Sequence, residues 1–408
     1  MEEHRSPVGR SVFKTGEGRT TCLVGSTPTL FRQIFAASDG IMTDRADNSR
    51  VVDCDDLVEW YYAQGFSDGL PVVPPTPDKI EAMVDALGGD PDYLECRVPP
   101  RWGGLTRHVL AVNMVLAGCL PAYAPVVRAA MLALASPAFN LHGVQATTHM
   151  AAPLLVVNGP VRDEIGMNSG HNVFGSGNRA NATIGRAIRM ILLNTGGGWP
   201  GDLDKSTLGH PGKYTYCIAE NEEIGAIAPY HVDKGFNAGD STVFVMPAEA
   251  PHSVTNHVSN DPEGILDSIV SAMTTIAHNN AVSAGHCAVV LGPEHARVMA
   301  QHEWKRSDIR HYLWYQARNS FGDVAFQHRY GKVYNRSLPK WYSRRDDDPI
   351  PVVPSPDHIH LFCAGGAAGR FSAFIPGWGH MASPVLRELD GKPPAGGGPQ
   401  CIDGTCYL

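Results

Sequence analysis

Two stretches of this chain share the pattern of a short apolar run, a glycine and a proline that opens a helical sequence. They cover residues 155–160 and 288–293, and their glycines, Gly159 and Gly292, are 292 − 159 = 133 residues apart. A short apolar run bounded by glycine indicates a buried strand, and proline is favoured at the first position of a helix. Each stretch therefore predicts a strand that leads through a tight turn into a helix.

Two further landmarks follow each stretch in the same order. A strand-like run with a cysteine recurs at an offset of 363 − 217 = 146 residues, and a strand that ends at a proline recurs ahead of a histidine. The matched segments are 214–219 with 360–365, and 244–247 before His252 with 374–376 before His380. Strands that alternate with helices predict α/β layers around a mostly parallel or mixed sheet. The predicted fold class is α/β, with two divergent α/β units related by an internal pseudo-repeat and a helical N-terminal segment. The alternative to a repeat is that two ordinary strand–Gly–Pro–helix turns resemble each other only because their compositions are similar.

Shifts in composition divide the chain into five segments. The first 42 residues are rich in Ser, Thr, Gly and Arg, which predicts a disordered leader or an upstream extension of a chain that starts at Met42. The full division is a leader (1–42), a helical and proline-braced segment (43–104), a first α/β unit (105–262), a second α/β unit (263–390) and a flexible Pro- and Gly-rich tail with a dithiol (391–408).

Composition and charge narrow the functional classes. Of the 408 residues, 43% are hydrophobic and 18% are charged, which is typical of a compact globular protein. The formal net charge of -8 is spread along the chain, so nucleic acid is not an expected partner. No apolar run reaches the roughly 18 residues of a membrane-spanning helix, and a signal-peptide core is missing, so no membrane partner is expected. The nine cysteines are an odd number and mostly stand singly in apolar stretches, which predicts a reducing, cytoplasmic location.

Residues 140–223 form the most polar region and carry the predicted site. The region is rich in His, Asn, Gly and Thr but poor in Lys, unlike a solvated surface. Histidine titrates near neutral pH and can act as a general acid or base, although a single histidine is more often structural. The residues predicted to act in catalysis here are His142, His149, His171, His210, Cys217 and Glu220.

A glycine-rich turn precedes a predicted helix at residues 179–193. Such a turn presents free backbone N–H groups and the positive end of the helix dipole, so it can hold a phosphate or carboxylate. The residues predicted to bind this anion or a cofactor are Gly175, Ser176, Gly177, Asn178 and Arg179. Because the turn lacks the Gly-Lys-Ser/Thr of a Walker loop, it predicts anion binding more strongly than nucleotide binding. Close packing of the glycines against a sheet is the alternative.

Three of the histidines could instead ligate a metal. For His142, His149 and His171, a divalent or soft metal ion is the cofactor considered. They lack a Cys-x-x-Cys and the carboxylate-supported helical pair of a zinc protease, so acid–base and hydrogen-bonding roles compete with ligation. Cys217 stands in a strand-like run and precedes three carboxylates, which would raise the pKa of its thiol. A core position and a nucleophilic role both stay open for this cysteine.

The chain ends in two cysteines that flank a hairpin signal. Asp403-Gly404 suits a type I′ turn because both residues tolerate positive φ, and this turn places Cys401 opposite Cys406. Opposed residues of an antiparallel ladder lie about 4.5–5.5 Å apart at Cα, close to the span of a disulfide. Cys401 and Cys406 are therefore predicted to act as a redox pair or as soft-metal ligands, and a frayed tail is the alternative.

Four strings of the sequence carry a family likeness. They are residues 68–76, 140–149, 181–186 and 210–223. The strings resemble a poorly characterised bacterial family that is associated with small UGSC-motif thiol or selenol proteins, over residues 53–386. The resemblance implies thiol-linked chemistry, with a small thiol or selenol redox protein as a partner. This chain departs from that picture by carrying Cys401 and Cys406 on its own tail, loosely like a fused redox arm.

These observations support three functional hypotheses. The first is an enzyme, a thiol-linked oxidoreductase or lyase, that acts on a small anionic or sulfur-containing substrate in a cleft between the two α/β units. It would use His or Cys acid–base or thiol chemistry, with the terminal dithiol as a redox relay, and it would form a homo-oligomer. The second is a metal-dependent hydrolase or lyase that uses the histidines. The third is a soft-metal or cofactor-binding protein.

Overall fold

The computed structural model describes residues 56–225, 227–324 and 345–391, together with the backbone of four short strands outside these ranges. The strands are β1 (Thr21–Val24), β2 (Arg50–Asp53), β3 (Leu94–Val98), β4 (Gly103–Thr106), β5 (Ala152–Asn158), β6 (Cys217–Ala219), β7 (Thr242–Ala248), β8 (His252–Thr255), β9 (Cys287–Leu291), β10 (Arg318–Ser320), β11 (Pro349–Pro351), β12 (Ile359–Cys363), β13 (Phe371–Pro376), β14 (Val385–Glu388), β15 (Cys401–Ile402) and β16 (Thr405–Cys406). The helices are α1 (Leu57–Ala63), α2 (Pro77–Ala86), α3 (Arg107–Ala117), α4 (Ala124–Leu134), α5 (Leu141–Gln145), α6 (Val161–Glu164), α7 (Arg179–Asn194), α8 (Tyr230–Asp233), α9 (Pro262–Met273), α10 (Asn279–Ser283), α11 (Pro293–Gln301), α12 (Arg306–Gln316) and α13 (Phe321–Val324).

Two four-stranded mixed sheets form the centre of a mixed α/β fold. The first has the order β14-β7-β5-β6, in which β5 and β6 are parallel and β7 runs antiparallel to β5 and β14. The second has the order β12-β9-β13-β8, in which β9 and β12 are parallel and β13 runs antiparallel to β9 and β8. The α/β class predicted from alternating strands and helices is confirmed, and both sheets are mixed.

The central strands are buried on both faces, as their unbroken apolar sequences predicted. Leu155 and Val157 of β5 pack with α3, α4 and α7, whereas Val156 faces the second sheet. Side chains of the second sheet, such as Val290 and Phe362, pack against this face of the first sheet. The other face of the second sheet is covered by α9, α11 and α12. Because successive residues of a strand point to opposite faces, alternate residues of one apolar run are buried in two different hydrophobic cores. The layers are therefore helices, sheet, sheet and helices.

Local signals explain where the helices after the central strands begin. Pro293 occupies the first turn of α11 directly after Gly292, and Pro160 caps α6 directly after Gly159. Proline suits these positions because its missing N–H would have no partner there. The predicted helix at 179–193 is confirmed as α7, and it begins where the side chain of Asn178 caps it.

The two sheets also meet through their backbones at both ends. At the carboxyl ends of β6 and β12, the N–H of Asn221 donates to the carbonyl oxygen of Cys363 at 2.7 Å. At the ends of β7 and β13, the N–H of Glu249 donates to the carbonyl oxygen of Pro376 at 2.8 Å. Each sheet takes its edge strand from the other half of the chain, since β14 lies in the first sheet and β8 in the second. Residues at either end of the sheets are thus held by both halves.

No single helix among the described residues is long and apolar enough to cross a membrane. Residues 107–117 and 121–134 pass that test only as a pair, but the pair is bent by 119° and most of the residues in its helices α3 and α4 are buried.

Candidate functional site

The predicted site residues lie in two groups, one at each end of the sheets. His149 precedes β5 and His210 lies beside the end of β7, so both stand where the parallel strands of the first sheet begin. Glu220 directly follows β6, and His171 lies against Gly366, which follows β12. These two stand at the carboxyl ends of parallel strands. The polar region 140–223 therefore supplies two separate environments.

Where the parallel strands of the first sheet begin, eight polar side chains form a group that we name the polar cluster. Its members are Gln145, His149, Arg189, Asp204, His210, Lys213, Tyr216 and Glu249. They come from α5, from α7, from the loops that precede β5 and β6, and from the residue that follows β7. Elements that are distant in sequence thus bring acids, bases and cations together.

His149 and Glu249 form the acid–base pair of the polar cluster. Nε2 of His149 lies 2.8 Å from Oε1 of Glu249, and the two side chains are 25% and 16% exposed. A carboxylate only accepts hydrogen bonds, so in the neutral imidazole Nε2 carries the proton and Nδ1 keeps a free lone pair. Nδ1 is buried and has no hydrogen-bond partner within the described ranges. The hydrogen bond to Glu249 thus orients His149 with the lone pair of its basic nitrogen buried and unused by the described residues.

His210 is held in one tautomer by the backbone. Its Nδ1 accepts a hydrogen bond from the N–H of Gly212 at 3.1 Å, and its Nε2 lies 3.3 Å from the carbonyl oxygen of Ala248, so the proton is on Nε2. Burial lowers the pKa of His210, which keeps the ring neutral near pH 7. The ring packs edge-on against Tyr216, whose hydroxyl donates to the carbonyl oxygen of Glu249 at 2.9 Å. His210 therefore supports the wall on which Glu249 stands.

Arg189 is a buried cation without a carboxylate in contact. It is 4% exposed, its Nε donates to the carbonyl oxygen of Lys213 at 3.0 Å, and its Nη1 donates to Oε1 of Gln145 at 3.2 Å. No ion pair joins Arg189 to a carboxylate in the part of the chain that the structure covers. Burial lowers the pKa of Arg189, and the charge of Asp204 opposes this effect without contact. Because buried charges normally have a partner of opposite sign, this guanidinium is suited to binding an anion.

Gln145 and Lys213 add donors beside Arg189. Since a guanidinium only donates, its hydrogen bond fixes Oε1 of Gln145 toward Arg189 and turns the amide nitrogen elsewhere. That nitrogen is buried and has no partner among the described residues. A Cβ atom at Gly198 would lie 2.6 Å from it, so glycine is needed for this approach. Lys213 donates to Asp204 at 2.7 Å, and burial lowers the pKa of its ammonium group.

The other two predicted histidines have different neighbours. His142 is exposed on α5 and stacks on Trp102, with ring centroids 6.0 Å apart. His171 is also exposed, and its ring lies over Gly366, where a Cβ atom would come within 2.2 Å of Nδ1. The three histidines predicted as metal ligands do not meet, and among the described residues no three His, Cys, Asp or Glu side chains are placed to hold a metal ion.

Glu220 lies at the joint between the sheets, outside the polar cluster. It is 1% exposed, and its Oε2 accepts from Nδ2 of Asn158 at 2.5 Å and from the N–H of Tyr230 at 2.8 Å. Its Oε1 accepts from Nη2 of Arg306 at 3.3 Å and from the N–H of Cys363 at 3.1 Å. These partners come from both halves of the chain. The position of Glu220 favours a role in joining the halves over the predicted catalytic role.

Cys217 points away from the second sheet and packs against α7 in the core. It is buried, and a Cβ atom at Gly185 of α7 would lie 3.2 Å from its Cβ. Burial raises the pKa of the Cys217 thiol, and the nearby Cys119 acts in the same direction. The thiol therefore stays protonated near neutral pH, and of the two roles left open for Cys217 this position favours the core.

The glycine turn opens α7, but the chain itself occupies part of the helix end. Asn178 accepts from the N–H of Asn181 at 3.0 Å and donates through Nδ2 to the carbonyl oxygen of Gly166 at 2.8 Å. Arg179 donates to the carbonyl oxygen of Gly118 at 2.9 Å. Gly175, Ser176 and Gly177 are exposed. Anion binding at this turn stays a prediction that depends on the remaining N–H groups.

The two terminal cysteines lie in the antiparallel pair β15 and β16. The backbone register places Cys401 opposite Cys406 and Ile402 opposite Thr405, so the predicted register is confirmed. Asp403 and Gly404, the predicted turn, lie outside the described residues. Cα atoms of β16 lie within 8 Å of Cα atoms in the turn Pro137–Phe139, which precedes α5.

The sequence prediction missed six members of the polar cluster as site residues. These are Gln145, Arg189, Asp204, Lys213, Tyr216 and Glu249. Arg189 had a usable signal, because it stands between Ile188 and Met190 on a stretch of α7 that is otherwise apolar. Glu249 had none, because its partner His149 is 100 residues away.

In comparisons with known proteins, no family model matches the chain and no curated protein matches it significantly.

Proposed function

We propose that this protein is an enzyme that acts on a small anionic substrate at the polar cluster. The observation that carries the proposal is Arg189, a guanidinium that is 4% exposed and has no carboxylate in contact within the described ranges. An unpaired buried charge destabilises a fold, and such arrangements concentrate at functional sites. The His149–Glu249 pair beside it supplies acid–base chemistry. Glu249 also contacts Pro376, so the cluster borders the second half of the chain.

The anionic group is expected to lie against Arg189 and Gln145. Nε and one N–H of Nη1 are used by the protein, which leaves the other N–H groups of the guanidinium for a ligand. A carboxylate suits these groups because it can accept two parallel hydrogen bonds in the guanidinium plane. The unpartnered amide nitrogen of Gln145 provides a further donor. Substrate binding would thus satisfy a charge and a donor that the described protein residues leave open.

The chemical step assigned to His149 is proton transfer. Nδ1 takes a proton from the substrate, and Glu249 holds Nε2–H and stabilises the imidazolium that forms. In a lyase-type elimination, the electron pair of the broken C–H bond then expels the leaving group, and His149 returns the proton to it. Cys217 takes no part in this step because its thiol is buried in the core.

The terminal dithiol belongs to the same proposal as a redox relay. The closeness of β16 to Pro137–Phe139, just before α5, supports a tail that reaches toward the polar cluster. With a disulfide substrate, one tail thiolate attacks a sulfur of the S–S bond and expels the other as a thiol, which leaves a mixed disulfide. The second tail cysteine then releases the remaining substrate thiol and closes the Cys401–Cys406 disulfide, which a small thiol or selenol protein would reduce again. Cys401→Ser and Cys406→Ser should each abolish turnover with a dithiol reductant while the circular dichroism spectrum stays unchanged. Wild-type rates in both variants would overturn the relay.

We also propose that the two sheets are halves of an internal pseudo-repeat. The order β14-β7-β5-β6 corresponds to β8-β13-β9-β12, with the same parallel and antiparallel pairs. Leu155 and Val289 both point to the outer helices, which supports an offset of 289 − 155 = 134 residues. Leu155 pairs with Cys217, and Val289 pairs with Leu361. In this alignment Leu361, and not Cys363, is the counterpart of Cys217.

Calorimetric titration with four small anions tests the proposed site. The probes are acetate, thioglycolate, inorganic phosphate and sulfite, and at least one should bind the wild-type protein. Arg189→Gln should weaken that binding by about tenfold or more, because charge-assisted hydrogen bonds contribute about 1.5–3 kcal/mol. Arg189→Lys keeps the positive charge but lacks the planar guanidinium group. Its affinity for the anion should therefore lie between those of the wild type and Arg189→Gln. Arg97→Gln, at an exposed arginine of β3, is the matched control.

Two results would overturn the proposal. One is that none of the four anions binds the wild-type protein. The other is that Arg189→Gln binds them as tightly as the wild type does.

A further inference from the structure

A cavity of about 490 Å³ lies at the carboxyl ends of β9 and β12. Val290 and Ala373 of the second sheet line it together with Ala364, which follows β12, and Asn172 and Phe174 reach it from the first half of the chain. In sheets with parallel strands, ligands bind at the carboxyl ends, where the connecting loops diverge. The volume falls within the range of small-molecule sites, about 300–1,000 Å³. The cavity borders the polar cluster at one point, since the ring centroid of Phe174 lies 6.3 Å from that of Tyr216. Among the described residues that line the cavity, none is Arg189, His149 or Glu249.

Two aromatic side chains on the cavity wall are exposed. Phe174 is 38% exposed and Phe371 is 48% exposed, and both line the same concavity. Pro251 and Pro293 add further apolar surface. Aromatic rings prefer to stack against or meet the edges of other flat rings, with a gain beyond the burial of area. This wall therefore favours a flat aromatic ligand.

A loop of glycines and alanines forms another part of the wall. Gly365 and Gly369 line the cavity without a side chain, so a ligand can approach their backbone closely, whereas the ring of His171 lies over Gly366. No hydrogen bond within the described ranges uses the backbone N–H groups of Gly366, Ala367 or Ala368. Successive unused backbone N–H groups provide donors for an anionic group.

The charged side chains around this loop also favour a negatively charged ligand. Arg297 donates to the carbonyl oxygen of Ala367 at 3.3 Å. Arg370, which follows the loop, pairs with Glu294 at 3.3 Å. Two guanidinium groups against one carboxylate leave an excess of positive charge beside the loop, which raises the local concentration of anions.

We infer that this cavity binds a flat aromatic molecule that carries an anionic group. The ring lies against Phe174 and Phe371, and the anionic group lies at the glycine-rich loop, residues 365–369. The inference does not depend on the reaction proposed for the polar cluster.

Binding of 2-naphthoate, followed by NMR of the full chain, tests this inference. We expect chemical-shift changes in the loop 365–369 and around Phe174. The neutral analogue 2-naphthalenemethanol should bind at least about fivefold more weakly, because it lacks the charge. Phe174→Ala and Phe371→Ala should each weaken binding of 2-naphthoate by about tenfold, as expected for loss of a buried ring contact. Tyr62→Ala, at an aromatic residue that is 60% exposed on α1, is the matched control.

A second variant tests whether the ligand occupies the space inside the cavity. Ala373→Trp places an indole in the cavity and should abolish binding of 2-naphthoate without lowering the melting temperature. Arg189→Gln should bind 2-naphthoate like the wild type, which separates this site from the polar cluster. The inference would be overturned by no binding at millimolar 2-naphthoate, by unchanged binding in Phe174→Ala and Ala373→Trp, or by equal binding of the neutral analogue.

Discussion

Nε2 of His149 lies 2.8 Å from Oε1 of Glu249, which joins two residues 100 positions apart in the sequence. The two residues flank neighbouring antiparallel strands, in which Ala152 of β5 pairs with Ala248 of β7. Because side chains alternate along a strand, a slip of one residue would turn the apolar faces of these strands the wrong way. The burial of β5 and β7 in two cores therefore also sets the position of the acid–base pair.

Glu249→Leu removes the acceptor that holds Nε2–H of His149. We expect the neutral ring to lose its single tautomer, and the free energy of unfolding to fall by about 1 kcal/mol, the contribution of a typical hydrogen bond. Nitrogen chemical shifts of the labelled imidazole measure the tautomer. Glu249→Gln is the control because its amide oxygen can still accept. A ring that stays fully protonated at Nε2 in Glu249→Leu would contradict the role given to Glu249.

Glu220→Gln should lower the free energy of unfolding by about 3–5 kcal/mol, because it leaves Arg306 as a buried charge without its partner. Glu220 is 1% exposed and Arg306 is 3% exposed. Urea denaturation measures the loss, and adding Arg306→Met should recover part of it. Glu59→Gln, at an exposed glutamate of α1, should change the value by less than about 0.5 kcal/mol. A loss of less than about 1 kcal/mol in Glu220→Gln would return Glu220 to the catalytic candidates.

A chain of three rings makes stability depend on pH. The hydroxyl of Tyr230 lies 2.8 Å from Nδ1 of His360, and Nε2 of His360 lies 3.0 Å from Nδ1 of His286. Burial lowers the pKa of His286 from 6.5 to about 3 and lowers the pKa of His360 well below its usual value. Between about pH 6.5 and about pH 3, these histidines bind more protons in the unfolded chain than in the native protein. The free energy of unfolding therefore falls as the pH falls through this range.

Denaturation from pH 8 to pH 4 measures this dependence. The contribution of the rings should be complete above about pH 6.5, the unfolded pKa of histidine. His286→Gln should reduce the slope below that pH, whereas His311→Gln, at an exposed histidine of α12, should leave it unchanged. An unchanged slope in His286→Gln would show that His286 titrates alike in the folded and unfolded chain.

Cys217 should resist alkylation in the native protein. Burial raises the pKa of its thiol, and burial also raises the pKa of Cys363 to about 12, so neither forms the reactive thiolate near pH 8. Mass spectrometry after treatment with iodoacetamide should find both thiols unmodified in buffer and modified in urea. Cys217→Ala should retain turnover. Native-state labelling of Cys217 at the rate of a free thiol would revive its nucleophilic role.

The elements that could be predicted from the sequence are those with local signals. The helix α7 begins at Arg179 because Asn178 caps it and its apolar residues recur at helical spacing. The turns at Gly159 and Gly292 lead from strands into helices because proline follows each glycine. The α/β class followed from the alternation of these elements.

The grouping of residues in the candidate site could be predicted only in part. His149 and His210 of the polar region do meet in one cluster, but Glu220 lies elsewhere. The reason is the length of a strand, since the seven residues of β5 separate its two ends by about 20 Å. Residues before the strand and residues after its parallel neighbour therefore enter different environments, although they belong to one polar stretch of sequence.

By itself, the sequence determined the strands and helices that have local signals, and it determined which stretch carries histidines suited to chemistry near neutral pH. The tertiary structure decided that Arg189 is buried without a carboxylate in contact among the described residues, and that His149 faces Glu249. Secondary structure follows from spacing and caps within about ten residues. Burial and pairing of charges depend on strand register and sheet packing, which bring together residues that are far apart in the chain.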